Sequence, residues 1–578
     1  LAALVGPATT LARGFLVGSI PSTLKEGGLS SQPGKTTIAA LSIVSGIFLA
    51  QVLIRSINGG FVHSLSLLVD QHLEERVIRA LGAPHGLSHL EGPEIANKLS
   101  ILQGVGSAGY RPGNAVEGLS SRVQTWLSGL GSAVILAGFR WWVAIGLSAV
   151  YLWAARVTLR DYLVLMKLSS GQAPTIRRSH YYRDLAFVPP AAKEVRVFGL
   201  GDWLIDHFKQ FWYQAMDPLW KERTNRRELG LASIVMSVSS IAAAAYVGFS
   251  ALNAEFGIGS VTVFLGAIAG LYSFGSGYGP GDIQLQYGLS ALPAIDEIEA
   301  AAKPLDPAGS QLLPENAPVK DIRFEEVSFM YPGTTNKVLD GLNLRIPAGK
   351  STAIVGLNGA GKTTVVKLLC RFYEPESGQI FVDDALLGEL DPAPWQRRLA
   401  AVFQDFVRYE LTALDNVALG APELAHDNAR LMKAIDRSRA TSVLDGLPLG
   451  LDTVLSREVT DGVQISGGEW QRLVLARALF AVESGARVLI LDEPTAALDV
   501  RAEAEIYRSF LEITRGLTTI LISHRFSTVR LADLIHVIQE GRVIESGTHE
   551  ELMALGGRYA HMFNLQASRF AEEESQLP

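Results

Sequence analysis

The chain has 578 residues, enough for more than one domain at roughly 150 residues each. Hydrophobic residues make up 48% and charged residues only 19%, against the ~25% charged usual in soluble domains, which argues against an ordinary soluble protein. Charge is split unevenly: residues 1–317 carry 24 Lys+Arg against 22 Asp+Glu, while residues 318–578 carry 27 against 36, so the second half offers no basic face for nucleic acid.

In chain order, the first 300 residues hold the apolar stretches. The clearest are 36–54, 141–155 with Trp141 and Trp142 leading, 229–252 and 258–275. Two weaker ones are 1–20, interrupted by Arg13, and 123–139. Each approaches the ~20 residues that span a bilayer as helix, so six spans are expected. Residues 156–228 carry 13 Lys+Arg against 8 Asp+Glu, which assigns this loop to the cytoplasm and, by alternation, the C-terminal half too.

Loops 56–122 and 156–228 are long enough for pairs of helices projecting beyond the membrane. Ser88–Glu94 and Tyr181–Leu185, the latter followed by Lys193–Leu200, are candidates for their tips. Ser273–Gly281 packs four glycines and Pro280 into nine residues, which reads either as a hinge or as close helix packing through small residues. Pro304, Pro307 and Pro314, with Gly309 between them, mark a linker. The expected organisation is a membrane domain over 1–302, a linker over 303–317 and a second domain over 318–578.

The second half alternates strands and helices. Ile322–Met330 alternates like a strand and runs into Tyr331. Thr352–Val355 is a short apolar strand that leads into Gly356-Leu357-Asn358-Gly359-Ala360-Gly361-Lys362-Thr363-Thr364. This is a phosphate-binding P-loop: the glycines let the backbone wrap an anion, Lys362 reaches the β- and γ-phosphates, and Thr363 ligates Mg²⁺. Ser466-Gly467-Gly468-Glu469 opens a helix, a second candidate anion site. Val488–Leu491 reads as a buried parallel strand that delivers Asp492 and Glu493. The single cysteine, Cys370, excludes an internal disulfide and reads as a small buried apolar residue.

A P-loop followed by Ser-Gly-Gly-Glu resembles the ABC ATPases, and with six spans ahead of it the whole chain resembles a half-transporter of the bacterial ABC exporter type. The resemblance implies an N-terminal six-helix α-helical transmembrane domain fused to an α/β P-loop ABC nucleotide-binding domain. ATP and Mg²⁺ are the implied cofactors. Gly356, Asn358, Gly359, Gly361, Lys362, Thr363 and Thr364 would hold the phosphates, and Tyr331 would stack on adenine. Thr363, Asp492 and Gln404 would hold Mg²⁺.

Within the same resemblance, Glu493, Gln404 and His524 are the implied catalytic residues, as activator of the attacking water, Q-loop glutamine and switch histidine. Ser466, Gly467, Gly468 and Asp499 would close over the nucleotide of an opposing subunit. A dimer follows, with a homodimer favoured and a heterodimer possible.

The resemblance further implies an ATP hydrolase that exports peptides or amphipathic small molecules by alternating access. Its expected place is the cytoplasmic membrane of a bacterium, multi-pass, with lipid and cargo as partners and no nucleic acid. An importer on the same fold and a lipid flippase are the alternatives. Ile465 and Glu469 depart from the commonest signature, which has Leu and Gln there. With Phe406–Thr412 they look like the subgroup that includes exporters of ribosomal peptide natural products. A leader-cleaving cysteine-protease domain is not expected.

Overall fold

The structure, a computed structural model, describes residues 2–25, 28–102, 111–224, 227–275, 280–302, 313–493, 516–523 and 525–575. Its contacts divide the chain into two units: Leu1–Ala83 with His89–Lys303, and Pro84–Ser88 with Pro304–Pro578. Most of the expected linker lies outside the described residues, as does the centre of the glycine run, 276–279.

The first unit is helical among the described residues. Its α-helices are α1 (Val5–Lys25), α2 (Gln32–Gly82), α3 (Pro93–Leu102), α4 (Asn114–Ala137), α5 (Trp141–Gly171), α6 (Ala173–Phe187), α7 (Ala192–Val197), α8 (Gly201–Thr224), α9 (Arg227–Leu252), α10 (Ile258–Gly275), α11 (Pro280–Ser290) and α12 (Leu292–Ala301). All six apolar stretches fall on helices, α1, α2, α4, α5, α9 and α10. Among the described residues three helices, α2, α5 and α9, are long and apolar enough to cross a membrane, and Ile258–Phe274 is a shorter apolar helix. Polar residues keep α1 and α4 out of that set: Arg13 with Thr9, Thr10 and Ser19 before Pro21, and Glu117, Arg122 and Gln124.

Helix α2 has 51 residues, about 76 Å at ~1.5 Å per residue, far more than the ~30 Å of a hydrocarbon core. The apolar run 36–54 therefore marks only its first part, and the rest projects beyond it. Of the two expected tips, Tyr181–Leu185 lies inside α6 rather than between helices. The other is displaced: Pro84–Ser88, just ahead of Ser88–Glu94, is the segment that belongs with the second unit.

Gly281, last of the glycine run, sits in close packing. A Cβ there would lie 2.5 Å from the Ser121 side chain, and one on Gly118 would lie 2.3 Å from the Gly281 carbonyl oxygen. At this position α4 and α11 meet backbone to backbone, as small residues permit in membrane helices.

The second unit carries two sheets. The antiparallel one has order β2-β1-β4-β5, from β1 (Asp321–Met330), β2 (Lys337–Pro347), β4 (Ser377–Val382) and β5 (Ala385–Leu386). The other contains β3 (Ser351–Gly356), β6 (Leu399–Val402), β7 (Val488–Asp492), β8 (Thr518–Ile522), β9 (Leu534–Gln539) and β10 (Arg542–Gly547), in the order β10-β9-β3-β8-β7-β6. Strands β9 through β6 in that order pair parallel and β10 antiparallel.

The apolar runs in β7 and β8 reflect burial on both faces. Leu489 and Leu491 pack with Leu473, Val474 and Phe480. Val488 and Ile490 pack on the other side with Val365, Leu369 and Trp395. Cys370 is a buried free thiol, its pKa pushed up to about 12 by desolvation, so it behaves as the apolar residue it was expected to be.

Candidate nucleotide site

Strand register builds the site. Strand β6 pairs with β7 so that Val402 lies beside Leu491. Two residues further along each chain, Gln404 and Glu493 leave the sheet together, and the Gln404 amide Nε2 donates to Glu493 Oε2 at 3.0 Å. Strand β8 lies between β7 and β3, with Ile522 beside both Asp492 and Ile354. The loop after β3 and the carboxylates after β7 therefore emerge at the same carboxyl ends, where open parallel sheets bind ligands.

The P-loop takes the shape its glycines allow. Gly361 caps the helix Lys362–Leu369 in the left-handed region, φ +101°, and a Cβ there would lie 2.6 Å from Leu339 Cδ2. The loop curls around its own lysine: Lys362 Nζ donates to the carbonyls of Gly356 and Leu357, each at 3.0 Å. Burial lowers the Lys362 pKa, opposed by the charges of Glu493 and Asp492.

Asp492 is 1% exposed, and among the described residues neither carboxylate oxygen accepts a hydrogen bond. Burial raises its pKa, and the neighbouring charges of Glu493 and Asp405 push the same way. Thr363 and Lys362 oppose this, the Thr363 hydroxyl lying near without closing hydrogen-bond geometry. Such an orphaned buried carboxylate calls for a cation. Glu493 holds φ +47°, unusual for a residue with a side chain, and its N–H donates to Ile522 O at 2.9 Å. That bond ties the turn to the end of β8.

Ser466 is the N-cap of the helix Gly467–Glu483. Its hydroxyl accepts from Glu469 N at 3.3 Å, while Glu469 Oε2 accepts from Ser466 N at 2.7 Å. This capping box explains Glu at a position where the commoner residue is Gln, since either can accept there. The Ser466 side chain and N–H hold the Glu469 pKa down. Among the described residues no hydrogen bond or ion pair joins Ser466, Gly467 or Gly468 to the P-loop.

Tyr331 stands beside the P-loop helix, its hydroxyl 3.1 Å from Thr364 Oγ1. Asp499 and His524 lie outside the described residues. Asp405, whose charge acts on Asp492, escaped the sequence reading because no motif marks a residue by its field alone.

The ABC transporter family profile matches residues 339–496. An ATP-dependent lipid A-core flippase of Albidiferax ferrireducens is 30% identical over 470 residues, 79% of this chain and 78% of that one. The chain belongs to the ABC transporter family.

A subtilin transport ATP-binding protein of Bacillus subtilis is 26% identical over 537 residues, covering 90% of this ABC transporter chain and 85% of its own. A lipid A-core flippase of Ralstonia nicotianae is 41% identical over 247 residues, 43% of this chain. The match spans only 41% of that relative's length. A solved bacterial Atm1-family ABC exporter with ATP bound shares the fold, with TM-score 0.73 and 24% identity over 98% of this chain and 97% of that one. The chain is thus a nucleotide-binding, membrane-associated ABC protein of the exporter fold.

Proposed function

We propose that the chain is an ATP-driven exporter of peptides or amphipathic small molecules, acting as a dimer in the cytoplasmic membrane of a bacterium with its second unit in the cytoplasm. The observation that carries this reading is the convergence of Lys362, orphaned Asp492, and Glu493 held by Gln404 at the carboxyl ends of the parallel strands.

Hard oxygen donors are what Mg²⁺ takes, and the orphaned Asp492 carboxylate with the Thr363 hydroxyl fits it. When bound, Mg²⁺ neutralises charge on the phosphates. Lys362 must release the two loop carbonyls to reach the β- and γ-phosphates. The N–H groups around Gly356, Asn358, Gly359, Gly361, Thr363 and Thr364 hold the polyphosphate.

Glu493 accepts the proton of the attacking water once Gln404 yields its hydrogen bond. Among the described residues no hydrogen bond or ion pair joins the Ser466 helix terminus to the P-loop of the same chain. A second copy, preferred over a different half-transporter, would bring Ser466, Gly467, Gly468 and Asp499 to the phosphates, with His524 contacting the γ-phosphate. Nucleotide closure of that dimer favours one arrangement of the membrane helices, and hydrolysis resets it.

The subtilin transport relative, aligned over 90% of the chain, favours peptide cargo. The flippase relatives favour a lipid, which is the second reading. Glu493→Gln should lower ATP turnover about 100-fold or more while ATP binding persists. Steady-state hydrolysis by the purified chain, with ATP binding measured in parallel, checks this. Undiminished turnover contradicts the role given to Glu493.

A further inference from the structure

Tyr331 is gripped from several sides. Its hydroxyl bonds Thr364, and the rings of Phe329 and Tyr373 lie in T-shaped contact with it, at interplanar angles of 80° and 84° and with centroids 5.0 and 5.3 Å away. The ammonium of Lys367 stands over the ring, 5.1 Å from its centre, and 5.8 Å from the centre of Tyr373. The hydroxyl, two neighbouring rings and a cation thereby hold Tyr331. Tyr331 remains half-buried at the surface of the core beside the P-loop helix, and among the described residues no further ring or cation pairs with it.

We propose that Lys367 is a positioning residue for the nucleotide base, fixing the Tyr331 ring through a cation–π contact so that its opposite face receives adenine. The inference rests on the nucleotide-site reading above. Lys367 follows Lys362 by five residues, about 7.5 Å along the helix and away from the N-terminus that holds the phosphates, so its charge is poorly placed to bind them directly.

Through the ring it acts in two ways. An ammonium over one face draws π density toward itself, leaving the other face less repulsive to the π face of a base. A ring already held in place also loses less freedom when the base stacks on it.

The test uses the full chain in detergent, with EDTA present so that no hydrolysis occurs. Displacement of a fluorescent ATP analogue gives affinities for ATP and for inorganic tripolyphosphate, which has no base. Lys367→Met should weaken ATP about 2- to 5-fold, the scale of an exposed cation–π contact, and leave tripolyphosphate unchanged. Lys367→Arg should restore ATP affinity. In a Tyr331→Leu background Lys367→Met should cost nothing more.

Unchanged ATP affinity in Lys367→Met overturns the inference. So does equal weakening of tripolyphosphate, or a full effect without Tyr331. ATP affinity that survives Lys362→Ala overturns the nucleotide-site reading itself, a separate failure.

Discussion

Glu469 combines two tasks at the residue scale. It completes the cap of the helix Gly467–Glu483 and places a carboxylate in the signature segment. Glu469→Gln keeps an acceptor for Ser466 N, whereas Glu469→Ala removes it. The Ala variant should lose about 0.5–2 kcal/mol, the usual cost of a lost cap, and thermal unfolding of the purified chain should show a lower midpoint than either Glu or Gln.

His536 makes a pH prediction at the same scale. It is 4% exposed, with Nε2 2.8 Å from Arg345 O and Nδ1 2.9 Å from Ser546 Oγ. Because a carbonyl only accepts, Nε2 carries the proton and the neutral ring accepts from Ser546 at Nδ1. Burial lowers its pKa below the unfolded value of ~6.5. Below about pH 6.5 the unfolded chain therefore binds a proton that the folded chain resists, and stability falls as pH drops toward the folded pKa. Denaturation midpoints between about pH 7.5 and 5 should decline, and His536→Gln should flatten part of that slope. An identical slope in the variant would remove His536 as the cause.

At the element scale the helices show what periodicity reveals and what it misses. Residues 36–54 announce a helix but not its 51-residue length, because past Ile54 the apolar residues are interrupted by Arg55, Asn58, His63, Asp70, Glu74 and Glu75. Helix α4 looked weak because Glu117 and Arg122 dilute it. These charges have partners on other helices: Arg122 meets Asp282 at 3.0 Å, and Glu117 meets His63 at 3.1 Å and Gln284 at 3.3 Å. Such pairs join residues 54 to 167 positions apart, which no local pattern encodes.

The contact between α4 and α11 gives a prediction. Gly118→Val must push its new side chain against the Gly281 carbonyl and the Leu285 backbone. Overpacking of this kind costs about 1–3 kcal/mol, so the melting temperature should fall, whereas Gly146→Val, where a Cβ would meet nothing within 4 Å, should leave it nearly unchanged. Equal melting temperatures would contradict the close packing.

P-loop, signature and the Asp492–Glu493 strand stood out because close backbone approach and buried parallel strands restrict residue choice tightly. Their assembly did not: Gln404 meets Glu493 only through the register of β6 on β7.

Segment Pro84–Ser88 is the clearest case. Three hundred residues upstream, it is built into the second unit by His85 Nδ1 on Gln396 Oε1 at 2.9 Å and Leu87 N on Phe372 O at 3.0 Å. Gln396 Nε2 also donates to Cys370 O at 2.9 Å, at the end of the P-loop helix. Gln396→Met should therefore lower cargo moved per ATP hydrolysed more than it lowers hydrolysis itself, a ratio measurable in proteoliposomes once a cargo is known. A ratio equal to that of the parent chain would deny this segment a part in coupling.

In the proposed function the site after β3 and β7 drives cargo across a membrane. Inside-out vesicles bearing the chain, or its Glu493→Gln variant, would be supplied with ATP and an extract of the source cells, and their contents compared by untargeted mass spectrometry. A peptide or amphipathic compound should be enriched only with the active chain. Equal contents in both preparations, or ATP-dependent loss of a compound preloaded in the lumen, would contradict the proposed function.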